Sequence, residues 1–406
     1  MIRIKNSTYR GSNNRLALYD LTIPVDFNGH LIVFIHGYMG FKDWGAWNKL
    51  SDFFTDNCFG FSKFNLTHNG TTIDSPYDFK DLDAFATNTY SKEVADVGYF
   101  LDHLSQEFKT LPTIHLLGHS RGGGIAFLNG NDSRVTSIIT LAAISSIHAR
   151  FSDQKMLEQW KKEGIRYVTN QRTHQQMPHN YEQYLDFLEN KEKLSIEQIT
   201  KSLHKPTLII HGSEDISVSI TEGEELSEWT ATPLIKIEYT DHVFGAKHPW
   251  NENYLPAPLK LACEKISEFI LEIDSTRSIH KKMIEQMIDL TKKNPDKNTK
   301  EIPFIAQLIE QMGLTKNDVL QLFNSHIKTQ LPPKETDRIL QFYRLCLLTL
   351  IDEKITFEEL SKLRDVGINM GLSPTATEEI IRSLQENKGK VLSPEQLIKI
   401  FKVNLN

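Results

Sequence analysis

Cysteine is scarce in this chain of 406 residues: Cys58, Cys263 and Cys346 are odd in number and far apart, with no C-x-x-C pairing. That excludes a disulfide framework and a thiolate metal centre, and leaves each thiol as a small core residue. Long apolar runs are missing too. No stretch of about 18 apolar residues occurs, and the opening MIRIKNSTYRGSNN has no segment resembling a secretory signal, so a cytoplasmic protein without a membrane span is expected. Nor is there an excess of positive charge. The 52 acidic residues outnumber the 46 basic ones, with 34 acids against 26 bases before residue 274 and 18 against 20 from there on. No basic stripe is left to displace counterions from a phosphate backbone, which disfavours DNA or RNA as a partner. Short repeats and low-complexity tracts are also lacking.

What is present is an ordinary folded composition, 39% hydrophobic and 24% charged. The length exceeds what one hydrophobic core supports and argues for two domains. Residues 30–36 (HLIVFIH), 60–65 (GFSKFN), 113–117 (TIHLL), 136–142 (TSIITLA), 207–211 (TLIIH) and 234–239 (LIKIEY) are short apolar runs bounded by Gly, Pro or polar residues. Such runs suit the buried strands of a parallel sheet. Stretches with helical spacing lie between them, Tyr90 to Phe108 and Gly122 to Leu128 among others, so the expected class is α/β, with a mostly parallel central sheet. The strand rhythm stops over residues 144–204, a polar, aromatic-containing stretch expected to be a helical lid over the sheet's ligand crevice. Residues 274–278 (DSTRS) read as a linker, and 279–406 as a separate all-α domain with apolar residues at 3.6-residue spacing.

After the strand TIHLL comes Gly118-His119-Ser120-Arg121-Gly122, then Gly123 and Gly124. A G-x-S-x-G between a strand and a helix is the strained turn that exposes a nucleophilic serine. A serine hydroxyl is weak near neutral pH, so a base must take its proton and an acid must hold that base in the right tautomer. The strand TLII runs into His211-Gly212-Ser213-Glu214-Asp215, and the next strand into Thr240-Asp241-His242. Asp215 and His242 therefore follow consecutive strands on the sheet edge that carries Ser120. Glu214 competes with Asp215, and His248 with His242, but His248 lies farther from its strand end. The oxyanion of a tetrahedral intermediate needs two backbone N–H groups. Arg121, next to the nucleophile, supplies one; Tyr38 in the turn Gly37-Tyr38-Met39-Gly40 is assigned the other, with Met39 as the alternative.

Taken together, VFIHGYMGFKDWGAWN, LLGHSRGGG, LIIHGSED and DHVFGAKHPW make residues 1–273 resemble the α/β-hydrolase superfamily, most closely its dienelactone-hydrolase and serine-aminopeptidase-like branch. The resemblance implies an α/β-hydrolase fold, a Ser120, Asp215, His242 triad in the family's chain order, and no cofactor or metal. Its implied substrate is a small molecule or short peptide. Dehalogenase chemistry is excluded, because it needs a carboxylate where Ser120 stands. Where many relatives carry D-x-R-G-x-G-x-S after the fourth strand, this chain has FNLTHNGTT, so substrate contacts do not transfer. Asn69 of that turn and Arg172 of the lid stretch are the candidate contacts, with Asn65, His68, His174 and Tyr181 nearby in sequence.

In the second domain, LIDEKITFEE followed by INMGLSPTATEEIIRSL resembles the TerB-like (tellurite-resistance B-like) helical domain. An EF-hand reading fails, because LLTLI offers no oxygen ligands, and Asp352 and Glu359 are assigned to helix ends rather than to a metal. Two functions are carried forward: a serine hydrolase, and a non-catalytic adaptor whose helical domain binds a protein partner or serves a stress response.

Overall fold

The computed structural model describes residues 1–292, positions 334, 335, 338–340, 342, 343 and 346, and residues 357–386. The six apolar runs form β3 (His30–Ile35), β4 (Gly60–Phe64), β5 (Thr113–His119), β6 (Val135–Leu141), β9 (Thr207–Gly212) and β10 (Leu234–Ile237). Two earlier strands, β1 (Ile2–Arg10) and β2 (Leu16–Ile23), complete one eight-stranded sheet in the order β1-β2-β4-β3-β5-β6-β9-β10. Only β2 runs against the rest. The apolar pattern does not reveal β1, because it is an edge strand whose mostly exposed sequence, IRIKNSTYR, spaces charges along its length.

Both faces of the sheet are covered, which is why its central strands read as unbroken apolar runs. In β3, Leu31, Val33 and Ile35 join one core with α3 (Tyr90–Glu107) and α4 (Arg121–Leu128), whereas Ile32 and Phe34 join another with α1 (Trp47–Asp56) and α9 (Ala257–Lys292). The alternation is the two-residue period of a strand. In α9 the buried residues are Leu259, Ala262, Cys263, Ile266 and Ile270, three or four apart, as a one-faced helix requires. This is the doubly wound, mostly parallel architecture expected from the sequence, with β5 flanked by β3 and β6 at its centre.

The structure adds detail to two expectations. The stretch 144–204 is not helical throughout. After α5 (Gln154–Glu163) the chain turns at Gly164, whose φ of 72° ends the helix. It then forms an antiparallel hairpin of β7 (Ile165–Thr169) and β8 (Gln176–Asn180) before α6 (Glu182–Glu189) and α7 (Ile196–Lys201). The β-branched and aromatic residues of IRYVT favour a strand over another helical turn. Residues 274–278, expected as a linker, are helical and continue α9. DSTRS contains neither Gly nor Pro, so nothing in it breaks the helix.

The chain divides into two units, Met1–Ile270 and Leu271–Asn406. In the second, TFEELSKLRDVGINMG and PTATEEIIRSLQEN become helices Phe357–Asn369 and Pro374–Glu386, joined at Gly371 with a φ of 72°. They pack closely: a Cβ on Gly367 would lie 2.5 Å from Thr377 Cγ2. Asp352, and with it half of the TerB-like motif, lies outside the described residues. Among the described residues no helix is long and apolar enough to cross a membrane, and no group of three or more His, Cys, Asp or Glu could hold a metal ion.

Candidate active site

Ser120 sits between β5 and α4 with φ 57° and ψ −122°. A non-glycine residue held there stores about 1–3 kcal/mol of strain, and tight surroundings must enforce it. They do. The Ser120 N–H donates to the Leu141 carbonyl at 2.9 Å, and the Ser120 carbonyl accepts from Gly123 at 3.0 Å and from Ile144 at 3.3 Å. A Cβ on Gly122 would lie 2.3 Å from the Ile35 carbonyl oxygen, a backbone atom that cannot step aside. Gly122→Ala should therefore destabilise the fold by about 3 kcal/mol, read as a lowered urea midpoint; an unchanged midpoint would show that the elbow has slack.

The ends of β9 and β10 bring the acid and the base to this serine. His242 Nε2 lies 2.9 Å from Ser120 Oγ, and His242 Nδ1 lies 2.7 Å from Asp215 Oδ2. The other Asp215 oxygen accepts from the Ser217 and Val218 N–H groups at 2.8 and 2.9 Å. Glu214, by contrast, is exposed. His248 accepts from the Gly45 N–H at 2.8 Å and packs against Phe41 and Trp44. Three groups thus share one hydrogen-bonded chain, and their two competitors stand outside it.

One further partner of Asp215 was not singled out in the sequence. The fully buried His211 directs Nε2 at Asp215 Oδ2, 3.2 Å away, and at the Val218 carbonyl oxygen, 3.0 Å away. Both are acceptors, so Nε2 carries the proton. Burial alone would raise the Asp215 carboxyl, but hydrogen bonds from His211, His242 and Val218 outweigh it and hold the group well below the usual carboxylate range. The signal was present in His211-Gly212-x-x-Asp215, where four residues bring the imidazole back over the carboxylate. Two other histidines near the serine are kept neutral. His119 is pushed down to about 3 by burial and by His242, whose carbonyl oxygen accepts from His119 Nε2 at 2.9 Å. His36 is pushed down to about 4, chiefly by burial, while Nδ1 donates to the Gly37 carbonyl at 2.9 Å.

The turn at Gly37 to Gly40 closes with a 3.1 Å bond from the Gly40 N–H to the Gly37 carbonyl, and a Cβ on Gly37 would lie 3.0 Å from Ser120 Cβ. The turn therefore lies directly against Ser120. The Tyr38 and Arg121 backbone N–H groups meet no acceptor among the described residues. Just beyond the turn, Lys42 Nζ lies 2.8 Å from Asp20 Oδ1 and 2.6 Å from Asp43 Oδ2, and Lys63 Nζ pairs with the same two carboxylates. This buried ring of two lysines and two aspartates ties the loop to β2 and β4. Lys42→Met should cost about 3–5 kcal/mol, because removing one partner leaves charge buried and unmatched. The measurement is urea unfolding; a loss under 1 kcal/mol would count against the ring as an anchor.

Asn69 is buried, its Oδ1 accepting from Thr71 N and Oγ1 at 3.0 and 2.9 Å and its Nδ2 donating to the Gly40 carbonyl at 3.2 Å, so its side chain braces the turn. Asn65 likewise holds Lys42 N–H at 2.7 Å. Arg172 and His174 are exposed in the turn between β7 and β8, and Tyr181 packs on Trp160.

No protein-family model matches the chain, and no curated protein sequence does. Solved structures match in shape. The "Putative hydrolase" from Agrobacterium vitis S4 superposes with a TM-score of 0.51 at 16% identity, covering 66% of this chain and 100% of that one. Est1E from Butyrivibrio proteoclasticus, with ferulic acid bound, gives 0.48 at 17% identity over 66% of this chain and 98% of its own. Alpha/beta hydrolase domain-containing protein 10 from mouse gives 0.49 at 17% identity with the same coverages, 66% and 98%. The sheet order and the first of these likenesses identify the α/β-hydrolase fold over about two thirds of the chain.

Proposed function

We propose that the protein is a serine hydrolase that cleaves an ester, thioester or amide of a small to medium-sized substrate through an acyl-enzyme. The observation that carries this reading is the unbroken chain from Asp215 Oδ2 through His242 to Ser120 Oγ, at 2.7 and 2.9 Å. Ser120 Oγ attacks the substrate carbonyl carbon as its proton passes to His242 Nε2. Asp215, held ionised, keeps the Nδ1 proton of His242 in place and stabilises the imidazolium. The carbonyl oxygen becomes an oxyanion and accepts from the Tyr38 and Arg121 N–H groups, preorganised donors worth about 3 kcal/mol or more. Collapse of the intermediate breaks the scissile bond, and the leaving group takes the proton from His242. Water, deprotonated by the same imidazole, then releases the acid and restores Ser120.

A fluorophosphonate, which phosphonylates only an activated serine, tests the reading. Wild-type protein should be labelled at Ser120 and Ser120→Ala should not be. Absence of labelling in the wild type, or undiminished labelling of Ser120→Ala, would defeat the assignment and favour the adaptor role.

A further inference from the structure

The side chains of the two proposed oxyanion donors are stacked on each other. The Arg121 guanidinium lies 4.3 Å from the centre of the Tyr38 ring and 4.7 Å from that of Tyr90, with Nη1 3.2 Å from Glu93 Oε1. Beyond Tyr38 the contact continues into the inserted hairpin, where the Tyr38 hydroxyl and His179 Nε2 are 2.7 Å apart. His179 lies on β8, is 3% exposed, and is itself fixed: its carbonyl accepts from Trp160 Nε1 at 2.8 Å, and Gln183 is its other side-chain partner. Trp160 in turn carries Arg166 over its ring at 4.2 Å. The hydroxyl of the half-buried Tyr38 has one hydrogen-bond partner among the described residues, His179.

We propose that His179 is a positioning residue, which through the Tyr38 hydroxyl and the Arg121 stack sets the two backbone N–H groups that receive the oxyanion. The inference rests on the hydrolase reading above. Tyr38 and Arg121 are separate in sequence, so their amides converge only if something fixes the turn against the elbow. The ring of Tyr38 is clamped on one side by Arg121 and at its tip by His179. A misplacement of about 1 Å in such a site can cost about 100-fold in rate, whereas ground-state binding of substrate does not depend on it.

The direction of the bond holds across the working range. The Tyr38 hydroxyl is pushed up to about 12, by burial before all else and against the pull of Arg121 and Arg166, while Tyr90 and Glu93 add to the rise. His179 is pushed down to about 3 by burial and by Arg121 and Arg166. Tyr38 thus donates and His179 accepts from acid to alkaline pH. A deficit caused by losing the bond should be the same at every pH between those limits, unlike that of an acid or base.

The test uses the full chain, a fluorophosphonate probe and a p-nitrophenyl ester series. Tyr38→Phe, which deletes one oxygen, and His179→Ala should each lower the labelling rate and the ester kcat by roughly 10- to 100-fold with KM little changed. The double variant should be no worse than the poorer single one. His179→Gln, whose carbonyl can accept from the hydroxyl, should recover part of the loss. Wild-type kcat in Tyr38→Phe, additive losses, or a rise in KM alone would overturn the proposal. Should His179→Ala fail to fold, Tyr38→Phe decides. Wild-type protein that is not labelled would instead sink the hydrolase reading itself, whereas normal wild-type labelling with unaffected variants sinks only this one.

Discussion

Ser120→Ala should lower kcat for a p-nitrophenyl ester by about 10⁶, with KM changed little. The size follows from how the three groups act together. With Oγ removed, His242 Nε2 has no proton to take, and the 2.9 Å contact that links it to the nucleophile disappears. His242→Ala should cost a similar factor, because an unassisted serine hydroxyl attacks hardly better than water. The two losses are not additive, so a double variant should be no slower than either single one. Each variant should keep about 10³–10⁴ of acceleration over the uncatalysed reaction, since the backbone donors at Tyr38 and Arg121 remain. A fall of less than about 100-fold in purified Ser120→Ala would mean that another group is the nucleophile.

Asp215→Asn should cost about 10⁴ in kcat with little change in the fold. The carboxylate sets the tautomer of His242 by accepting from Nδ1 at 2.7 Å, leaving Nε2 bare to take the serine proton. An amide offers its N–H₂ to Nδ1 as readily as its oxygen, and when it does so the imidazole carries its proton on Nε2, facing Ser120. The backbone sets the preference. Asp215 Oδ1 accepts from the Ser217 and Val218 N–H groups at 2.8 and 2.9 Å, so an asparagine keeps its oxygen there and turns its N–H₂ towards His242 at the Oδ2 position. The acid has a stability counterpart whose sign is fixed. Asp215 is held below the usual carboxylate range, so the stabilisation it gives is full above the unfolded value of about 4 and fades as pH falls towards its folded value. The difference in melting temperature between wild type and Asp215→Asn should therefore shrink on going from about pH 6 to about pH 3, which crosses the unfolded value. A difference that grew in acid would contradict the picture.

Five of the six strands read from the sequence are legible because they are buried along nearly their whole length, and β10, at the sheet edge, still shows as the short apolar run LIKI. The elbow is legible for a related reason. Gly118, Gly122 and Gly123 stand where any Cβ would meet another atom within 2.6 Å, so their spacing reports a steric demand rather than a chance pattern. β1 is not legible: exposed edge strands obey no apolar rule. The hairpin of β7 and β8 is hidden for another reason, since five-residue strands amid helices leave too short a period to detect. DSTRS is polar but has nothing in it to stop a helix, and α9 runs through it.

By itself the sequence determined the fold class and singled out Ser120, with an acid after the strand TLIIH and a histidine after LIKIEY, as the groups to bring together, since these rest on local patterns of burial and turn geometry. Only the tertiary structure shows that Asp215 rather than Glu214, and His242 rather than His248, stands in the hydrogen-bonded chain to Ser120. Neighbouring residues look alike in a sequence and face opposite ways off a strand. The same holds for Asn69, which reads as a loop donor yet spends its polar atoms on Thr71 and the Gly40 carbonyl, and for His179. Its partner Tyr38 stands 141 positions away in the turn after β3, a separation that no local pattern records, and only the packing of the hairpin against that turn gives the imidazole its place.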